Sequence, residues 1–394
     1  MKTTDITQRL ANFGGAKWEV HLLARQRLLE GEDIIEMTIG EPDVPVPEDL
    51  IETAINAMRA GRTAYSDGRG EFTLRQTLAQ SYSKSRGRDF TPDNFLCFPG
   101  TQTALFTVMM GVAQAGDEVL VGDPMYATYE GVVAASGAKL VPVPLRPDHG
   151  FRMQAAEVER LISPNSKAIL LTTPHNPTGA VLRREEVVAL CELAKRHDLW
   201  VISDEVYEQM IFAEADFFSP LSLPDYADRV IAVSSISKSH AAPGFRSGWC
   251  VGATAFCDAL LPLSETMLFG NQPFIADMTA QAMKDLSSVA VEMRDRFARR
   301  ASRLAQRLEQ DTKLVVHRPE AGMFAMIDVA ATGMTGEAYA KDLLNHGVAV
   351  MPGTAFSERL TTWVRVALTI EDDRFEAAIE RILRHASLRT QEVA

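Results

Sequence analysis

Short apolar runs alternate with longer helical patterns between about residues 95 and 255, and this alternation limits the possible folds more than any other feature of the sequence. The runs rich in β-branched residues are 118–122, 139–144, 167–172, 199–203, 229–235 and 248–252. Helical periodicity separates several of them, over 101–114, 126–136 and 184–196. Such alternation is typical of a mostly parallel sheet with helices on both faces. Ligands bind beyond the carboxyl ends of the strands in these sheets.

The rest of the chain predicts a second, smaller α+β unit. A charged helical stretch runs from about 280 to 308, and further strand and helix patterns follow at 313–317, 323–329, 337–345, 348–351, 363–368 and 373 to about 388. A chain of 394 residues is too long for one ordinary core. We therefore predict a large domain over residues 46–285 and a small domain made of residues 1–45 and 286–394.

The composition excludes several classes of function. The formal net charge of −12, without a clustered basic face, argues against a nucleic-acid surface. No apolar run approaches the roughly 20 residues of a membrane span, and the amino terminus shows no apolar signal-peptide core. The four cysteines lack Cys-x-x-Cys spacing, which predicts reduced, buried thiols and not a disulfide framework or a metal site. We expect a cytoplasmic protein that binds no metal, membrane or nucleic acid.

The run Ser234-Ser235-Ile236-Ser237-Lys238 ends an apolar segment, and Arg246 follows shortly after it. A lysine in this place can form an imine with an aldehyde, while the hydroxyls of Ser235 and Ser237 and the Arg246 cation can hold an anion. Pyridoxal phosphate carries both an aldehyde and a phosphate, so it would satisfy all of these groups. The alternative is that Lys238 is a solvated surface residue.

An apolar strand ends in Asp204, and Tyr207 follows three residues later. A carboxylate against a pyridine nitrogen keeps that nitrogen protonated and makes the ring an electron sink. Asp204 is placed for this role, and Tyr207 could donate a hydrogen bond to the ring phenolate. The alternative for Asp204 is a helix cap after the strand.

Two further side chains follow strand ends of the same sheet. Asn176 lies in the turn Pro174-His175-Asn176-Pro177-Thr178-Gly179, and its amide could hold a ring oxygen together with Tyr207. Tyr126 follows the strand at 118–122 and could stack on a flat cofactor ring. Taken alone, the first is a turn and the second a core tyrosine.

Gly100 and Thr101 immediately precede a helical pattern. Free N–H groups at a helix amino terminus bind phosphate, although a Gly-Thr pair there is also an ordinary cap. No Gly-x-Gly-x-x-Gly or Walker-type run is present, which argues against a dinucleotide or nucleotide site.

Arg365 is a charge between the apolar neighbours Val364 and Val366 in a predicted strand. An arginine in such a position needs an acidic partner. A substrate carboxylate held in a bidentate manner and an internal acid are both consistent with the sequence at this point.

These motifs, in this order and spacing, resemble the class I aminotransferases of pyridoxal-phosphate fold type I. The resemblance covers about residues 30 to 370 and rests on Gly40-Glu41-Pro42-Asp43, Tyr65, Tyr126, Asn176-Pro177-Thr178-Gly179, Asp204, Tyr207, Ser235-x-Ser237-Lys238, Arg246 and Arg365. It implies an α/β fold, with a large domain whose mostly parallel mixed sheet lies between helices and a smaller α+β domain. It also implies a homodimer with shared active sites.

The resemblance assigns a role to each matching residue. It implies that Lys238 carries the cofactor as an aldimine and shuttles a proton in a ping-pong transfer, that Asp204 pairs with the pyridine nitrogen, and that Arg365 binds the substrate carboxylate near the main chain of Gly40. The implied contacts of the remaining residues are the ring oxygen for Asn176 and Tyr207, the ring face for Tyr126, and the phosphate for Gly100, Thr101, Gln102, Ser235, Ser237, Arg246 and, from the partner subunit, Tyr65.

Three departures from the family pattern bear on the substrate. Dicarboxylate-specific bacterial members often have lysine where this chain has Gln102, and another branch uses an arginine in the segment 261–281, which has no basic residue here. The run Ala242-Pro243-Gly244-Phe245-Arg246 replaces the frequent Thr-Gly-Trp-Arg, so a hydroxyl is missing beside the phosphate arginine. The first two departures disfavour a dedicated aspartate aminotransferase.

Local runs around Lys238, Trp200 and Tyr126 are similar to those of bacterial arginine:pyruvate transaminases. This similarity favours a neutral or cationic L-amino acid as donor, arginine included, and pyruvate or 2-oxoglutarate as acceptor, with Glu265 able to attract a cationic side chain. The alternatives are a pyridoxal-phosphate-dependent C-S β-lyase and a broad-specificity aspartate/aromatic aminotransferase. A cofactor-binding module of a transcription regulator would need an additional DNA-binding domain, which we do not expect.

Overall fold

The computed structural model describes residues 3–11, 13 and 16–393. The helices are α1 (Asp5–Ala11), α2 (Glu19–Leu29), α3 (Glu48–Arg59), α4 (Phe72–Arg86), α5 (Thr101–Val112), α6 (Tyr129–Ser136), α7 (Ala155–Glu159), α8 (Arg184–Arg196), α9 (Ile236–Ser239), α10 (Thr254–Met267), α11 (Pro273–Ala282), α12 (Ser288–Asp311), α13 (Gly336–Asn345) and α14 (Asp372–Val393). The strands are β1 (Ile35–Glu36), β2 (Phe95–Phe98), β3 (Glu118–Asp123), β4 (Lys139–Pro144), β5 (Ser166–Thr172), β6 (Trp200–Asp204), β7 (Val230–Ser235), β8 (Gly248–Val251), β9 (Val315–His317), β10 (Phe324–Asp328), β11 (Val348–Ala349), β12 (Met351–Pro352) and β13 (Trp363–Ala367).

The largest sheet within the described residues has seven strands in the order β2-β8-β7-β6-β5-β3-β4. Strands β4, β3, β5, β6 and β7 run parallel, and β8 is antiparallel to both β7 and β2. Every residue of β7 is buried, as expected for a parallel strand covered on both faces. The predicted α/β fold with a mostly parallel, mixed sheet is confirmed.

A second part of the chain forms its own sheets and core. Strands β12, β13, β10 and β9 make an antiparallel sheet, and β1 pairs in parallel with β11. Residues from α2, α12, α13 and α14 fill a core against these strands that includes Phe297, Tyr339 and Phe375. This part places Arg365 on β13, an inner strand of its sheet.

The described amino-terminal residues contact both parts. Helix α2 and β1 belong to the smaller core, whereas α1 packs on α6, where Arg9 Nε donates to the Ala134 carbonyl at 3.3 Å. The predicted domain boundaries at 45/46 and 285/286 stay a prediction. The predicted small domain also includes residues 1, 2, 12, 14, 15 and 394, which lie outside the described residues.

Some predicted boundaries are wrong, and capping explains the clearest case. The stretch from 280 to 308 is not one helix, because α11 ends at Ala282 and α12 begins at Ser288. The Ser287 hydroxyl accepts from Ala290 N at 3.1 Å and thereby starts a new helix. The predicted strand at 348–351 is divided between β11 and β12, which pair in different sheets. The helix predicted from residue 126 begins at Tyr129.

Among residues 3–11, 13 and 16–393, none of the helices is both long and apolar enough to cross a membrane.

Candidate active site

A cavity of about 280 Å³ lies at the carboxyl ends of β5, β6 and β7, where the large sheet meets β10 and β13. The polar residues of its lining are Gly40, Thr101, Gln102, Tyr126, Tyr129, Thr172, Asn176, Asp204, Tyr207, Ser235, Ser237, Lys238, Arg246 and Arg365. Its apolar lining consists of Trp18, Ile39, Leu105, Val206, Pro243 and Phe324. The fold therefore brings residues from distant parts of the sequence to one sheet edge.

Lys238 follows β7 on the short helix α9. The Ser235 hydroxyl caps this helix by accepting from Ser237 N at 3.3 Å, and the cap turns the chain so that Lys238 enters the cavity. Its Nζ donates to the Gly40 carbonyl at 3.0 Å. Burial lowers the pKa of Lys238 from 10.5 to about 8, and the nearby Arg365 and Arg246 act in the same direction against Glu41. A neutral amine, which is a nucleophile, is therefore accessible near neutral pH.

Asp204 is the last residue of β6 and is buried. Its Oδ2 accepts from the Tyr129 hydroxyl at 2.9 Å and its Oδ1 from Val206 N at 3.2 Å. Burial raises the pKa of Asp204 from 3.8 to about 6. Because no lysine or arginine of the described chain pairs with it, the carboxylate is available to a cationic N–H group of a ligand.

The side chain of the next residue, Glu205, points away from that of Asp204, because successive side chains of a strand lie on opposite faces of the sheet. Its carboxylate accepts from Ser219 Oγ at 2.7 Å and from Arg86 Nη2 at 3.1 Å. The Arg86 guanidinium also pairs with Glu208 and lies 4.9 Å from the Tyr82 ring centroid. This buried network on the opposite side of the sheet fixes the end of β6 that carries Asp204.

Asn176, Tyr207 and Tyr126 lie together in the cavity lining. Asn176 Oδ1 accepts from Arg365 Nη1 at 3.2 Å, so its amide nitrogen stays a donor. Burial raises the pKa values of Tyr207 and Tyr126, and both phenols are therefore neutral hydroxyl donors at pH 7. The Tyr126 ring meets that of Tyr129 edge-on, with 5.6 Å between centroids.

The start of α5 and the end of β7 form a concave anion site. Gly100 has a φ of +89°, a conformation that favours glycine, and it opens the first turn of α5. A Cβ added at Gly248 would lie 2.7 Å from Thr101 N, so only glycine allows β8 to approach this turn. Among the described residues, the Thr101 hydroxyl is buried without a hydrogen-bond partner, and the partners found for the Arg246 guanidinium are the carbonyls of Pro243 and Pro99. Unpaired N–H, O–H and guanidinium donors together are the chemistry that binds a phosphate.

Arg365 is 3% exposed and has no acidic partner within the described residues. Its Nη1 donates to Asn176, its Nη2 donates to the Thr38 carbonyl at 2.6 Å, and its Nε is buried without a partner. Burial lowers the pKa of Arg365 to about 9, which leaves the group protonated at pH 7. Of the two partners that the sequence left open, an internal acid is therefore not seen, and N–H donors remain for an external carboxylate.

Three residues with a predicted role do not line this cavity. Tyr65 is 91% exposed, and its ring meets that of Phe269 edge-on at 5.9 Å between centroids. Gly100 contributes through its backbone and its contact with Arg246 and does not line the cavity itself. Glu265 lies against Gly68, outside the lining.

The structure adds residues that the sequence reasoning missed. Tyr129 bonds Asp204, Trp18 and Phe324 line the cavity, and the rings of Phe324 and Phe356 lie against Arg365. Only Tyr129 had a usable signal, since it follows Tyr126 by three residues, the spacing that places two side chains on one helical face. The others come from distant segments.

The residues present fit pyridoxal phosphate. The unpartnered Thr101 hydroxyl and the glycine-lined turn fit its phosphate, the unpaired carboxylate of Asp204 fits a protonated pyridine nitrogen, and the partly neutral amine of Lys238 fits its aldehyde.

Comparisons with known proteins agree on one family. The family described as aminotransferase class I and II matches residues 32–382. The arginine--pyruvate transaminase AruH of Pseudomonas aeruginosa is 40% identical over 383 residues, which are 97% of each chain. The aspartate/prephenate aminotransferase of Thermus thermophilus is 31% identical, over 90% of this chain and 91% of that one. The solved structure of the Thermus thermophilus aspartate aminotransferase with maleate superposes with a TM-score of 0.91 at 30% identity, covering 98% of this chain and all of that one.

Proposed function

The chain belongs to the aminotransferases of class I and II and is a pyridoxal-phosphate-dependent transaminase, and on that premise we propose that its donor is a neutral or cationic L-amino acid, arginine included. The proposed acceptor is a 2-oxo acid such as pyruvate or 2-oxoglutarate. The relative with 40% identity is named an arginine--pyruvate transaminase, which supports both choices.

The observation that carries the donor proposal is the distribution of cations in the cavity. Lys238, Arg246 and Arg365 are the only basic side chains in the lining formed by described residues, and we assign each of them to the cofactor or to the α-carboxylate. Gln102 is neutral, and its Oε1 accepts from Thr128 Oγ1 at 3.0 Å. A second substrate carboxylate would therefore lie against neutral groups and lose hydration without gaining a cation.

We propose the following cofactor contacts. The turn at Gly100, Thr101 and Gln102 would hold the phosphate together with Ser235, Ser237 and Arg246. Asp204 would keep the pyridine nitrogen protonated, and the Tyr129 hydroxyl orients that carboxylate. Asn176 and Tyr207 would donate to the ring oxygen, and Tyr126 would cover the ring. The bound cofactor supplies an aldehyde for the amino group and an electron sink for the α-carbon.

The chain's own groups carry out the remaining steps. Arg365 fixes the α-carboxylate through its remaining N–H donors, with the main chain at Gly40 beside it. With the cofactor bound, the Lys238 amine would be the base that takes the proton from the substrate α-carbon and returns it. The lowered pKa of about 8 gives this amine a much larger neutral fraction near pH 7 than an unperturbed lysine has, which favours its use as a proton shuttle.

We propose in addition that the protein is a cytoplasmic homodimer with shared active sites. The strongly exposed Tyr65 and its neighbour Phe269, which is 58% exposed, would then be covered by the second subunit, with Tyr65 reaching the partner's phosphate. The four cysteines are all free thiols, consistent with a reducing compartment.

The donor proposal is tested with a panel of amino acids. Purified enzyme is assayed for 2-oxo-acid formation from L-arginine, L-alanine and L-aspartate, each with pyruvate and with 2-oxoglutarate. We expect arginine to exceed aspartate in kcat/KM by at least tenfold. A matched variant, Gln102→Lys, is expected to raise the ratio of kcat/KM for aspartate to that for alanine about tenfold, because it places a cation in the distal part of the cavity. The ratio cancels any effect of the variant on cofactor binding.

A preference for aspartate in the wild-type enzyme would contradict the donor proposal and favour the broad aspartate/aromatic alternative. Pyruvate release without any acceptor, from a donor with a sulfur leaving group, would instead indicate β-lyase chemistry. No effect of Gln102→Lys on aspartate would show that position 102 does not face the distal carboxylate.

A further inference from the structure

Arg365 lies between two phenylalanine rings that have no role in the assignments above. Its Cζ is 3.9 Å from the ring centroid of Phe324 and 4.3 Å from that of Phe356. Phe324 also lines the cavity, whereas Phe356 packs behind it in a cluster with Met351 and Ala355. Two sides of the guanidinium are therefore covered by aromatic rings.

The rings are themselves locked in position. A Cβ on Gly40 would lie 2.2 Å from Cζ of Phe324, so this ring is packed directly on the glycine backbone. The carbonyl of the same Gly40 accepts from Lys238. Phe356 is 3% exposed, and Trp18 packs on its cluster. Its carbonyl accepts from Met125 N at 3.0 Å, which fixes the backbone that carries the ring. Close packing thus opposes rotation of either ring away from Arg365.

The Arg365 guanidinium between the rings is charged, and no acidic side chain of the described residues neutralises it. Two of its five N–H groups are donated to Asn176 and Thr38, and the rest are left for a ligand. The aromatic faces attract a guanidinium and also keep water from it. A ligand anion therefore reaches the group only from the part of its rim that faces the cavity.

We propose that Phe324 and Phe356 form an aromatic slot that makes Arg365 selective for planar carboxylates over tetrahedral anions such as phosphonates. The inference rests on the proposed role of Arg365 as the carboxylate anchor. A carboxylate can lie in the plane of the guanidinium and use two parallel N–H donors. A phosphonate has a third oxygen outside that plane, which is desolvated against a ring face without gaining a donor. Both phenylalanines are thus positioning residues that act through Arg365.

The test measures binding to the holoenzyme by calorimetry, with two unreactive probes that differ in their anionic group alone. Propionate carries a planar carboxylate and ethylphosphonate a tetrahedral anion. We expect wild-type enzyme to bind propionate more tightly. Phe356→Leu and, separately, Phe324→Leu are expected to weaken propionate binding about tenfold and to reduce the carboxylate preference at least fivefold.

Control variants distinguish the effect of losing the slot from a general loss of protein stability. Phe297 lies in the same core as Phe324, but its ring is fully buried and does not line the cavity. We therefore expect Phe297→Leu to keep the carboxylate preference within twofold of wild type. Phe356→Tyr keeps an aromatic face and is expected to retain the preference, so the proposal remains testable if one leucine variant does not fold.

The possible outcomes distinguish a failure of the slot proposal from a failure of the role proposed for Arg365. A wild-type enzyme that prefers ethylphosphonate, or leucine variants that keep the wild-type preference, would overturn the slot. An Arg365→Lys variant that binds propionate as tightly as wild type would instead show that Arg365 is not the carboxylate anchor. That result would contradict the proposed role of Arg365 on which the slot depends. Loss of propionate binding in Arg365→Lys together with a reduced preference in both leucine variants supports the slot.

Discussion

Lys238 and Asp204 would carry opposite charges in water, yet burial shifts both pKa values toward neutral pH. The pKa of Lys238 falls to about 8 and that of Asp204 rises to about 6. Within the described part of the chain, neither group has an oppositely charged partner close enough to offset its desolvation. In the apoenzyme each is therefore held in an unfavourable environment, which the complementary groups of the cofactor would relieve under the proposed assignment.

The lowered pKa of Lys238 predicts the pH dependence of cofactor capture. Only the neutral amine attacks an aldehyde, so the rate of covalent capture by apoenzyme should rise about tenfold per pH unit below 8 and level off above about 9. Stopped-flow absorbance between pH 6.5 and 10.5 measures this rate, and Lys238→Ala, which should show no capture and no turnover, is the control. A rate that still rises steeply at pH 10 would mean that the pKa is not lowered.

The hydrogen bond from Tyr129 to Asp204 gives a second prediction. Tyr129→Phe removes a donor to a buried carboxylate and should lower kcat/KM by about tenfold or more, since a hydrogen bond to a charged group contributes about 1.5–3 kcal/mol. Tyr339→Phe is the matched control, because the Tyr339 hydroxyl is also buried but has no hydrogen-bond partner among the residues that the structure describes. Steady-state kinetics check both variants, and equal rates for the two would remove Tyr129 from the site.

At the scale of the elements, the contact between β8 and the first turn of α5 shapes the proposed phosphate site. A Cβ at Gly248 would meet Gly100 C at 2.6 Å and Ser234 O at 2.8 Å, and these backbone atoms cannot move independently. Gly248→Ala should therefore displace the turn, weaken cofactor binding at least tenfold and lower the stability by about 1–3 kcal/mol. Gly244→Ala is the control, since nothing lies within 4 Å of its added Cβ.

Absorbance titration of apoenzyme with pyridoxal phosphate measures the affinity of both glycine variants, and calorimetric Tm measures their stability. Equal affinities in Gly248→Ala and Gly244→Ala would show that the phosphate does not depend on this turn. A lower Tm with unchanged affinity would mean that Gly248 has only a packing role.

The elements differ in how far the sequence predicts them, and the differences have physical causes. Strand β4 and helix α8 have their predicted bounds because local composition changes sharply at their ends. The break before α12 was missed because a serine cap inside a helical pattern carries little weight until its hydrogen bond is seen. Strand periodicity cannot tell which sheet a strand joins, so the separation of β11 from β12 was also missed.

The same difference between local signals and tertiary contacts decides which residues of the candidate site could be predicted. Asp204, Asn176 and Lys238 were predictable because each follows an apolar run in a sheet whose carboxyl edge collects ligands. The rings beside Arg365 were not predictable, because Phe324 and Phe356 look like any core phenylalanine and meet Arg365 only through tertiary packing. The same holds for the pairing of Arg86 with Glu205.

At the scale of the whole molecule, Arg300 ties three separate segments together. Its Nη1 donates to Asp43 Oδ2 and to the Leu368 carbonyl, and its Nε donates to Asp372 Oδ1, each at 2.7 Å. Asp43 lies three residues after Gly40, whose carbonyl contacts Lys238. Helix α12 is thus joined to the loop that borders the active site.

Arg300→Met should lower the stability by about 2 kcal/mol, because the buried Asp43 loses its 2.7 Å partner and keeps only Arg296, and the Leu368 carbonyl loses a charged donor. Arg303→Met on the same helix removes an exposed pair with Glu376 and should cost less than about 1 kcal/mol. Calorimetric Tm values at a fixed cofactor concentration check the difference. Equal Tm losses in the two variants would contradict the structural role of Arg300.

The proposed dimer makes Tyr65 part of the partner's site, and complementation between two defective subunits tests this directly. A Tyr65→Ala subunit keeps Lys238 but cannot serve its partner, whereas a Lys238→Ala subunit is inactive itself but keeps Tyr65. When the two are mixed and reassembled at random, about half of the dimers are hybrids, and each hybrid contains one complete site out of two, so about a quarter of the wild-type activity should appear at limiting cofactor. Each parent alone should stay well below that level. If Tyr65 acts within its own subunit, or if the protein is a monomer in an analytical ultracentrifuge, mixing will give only the average of the two parents.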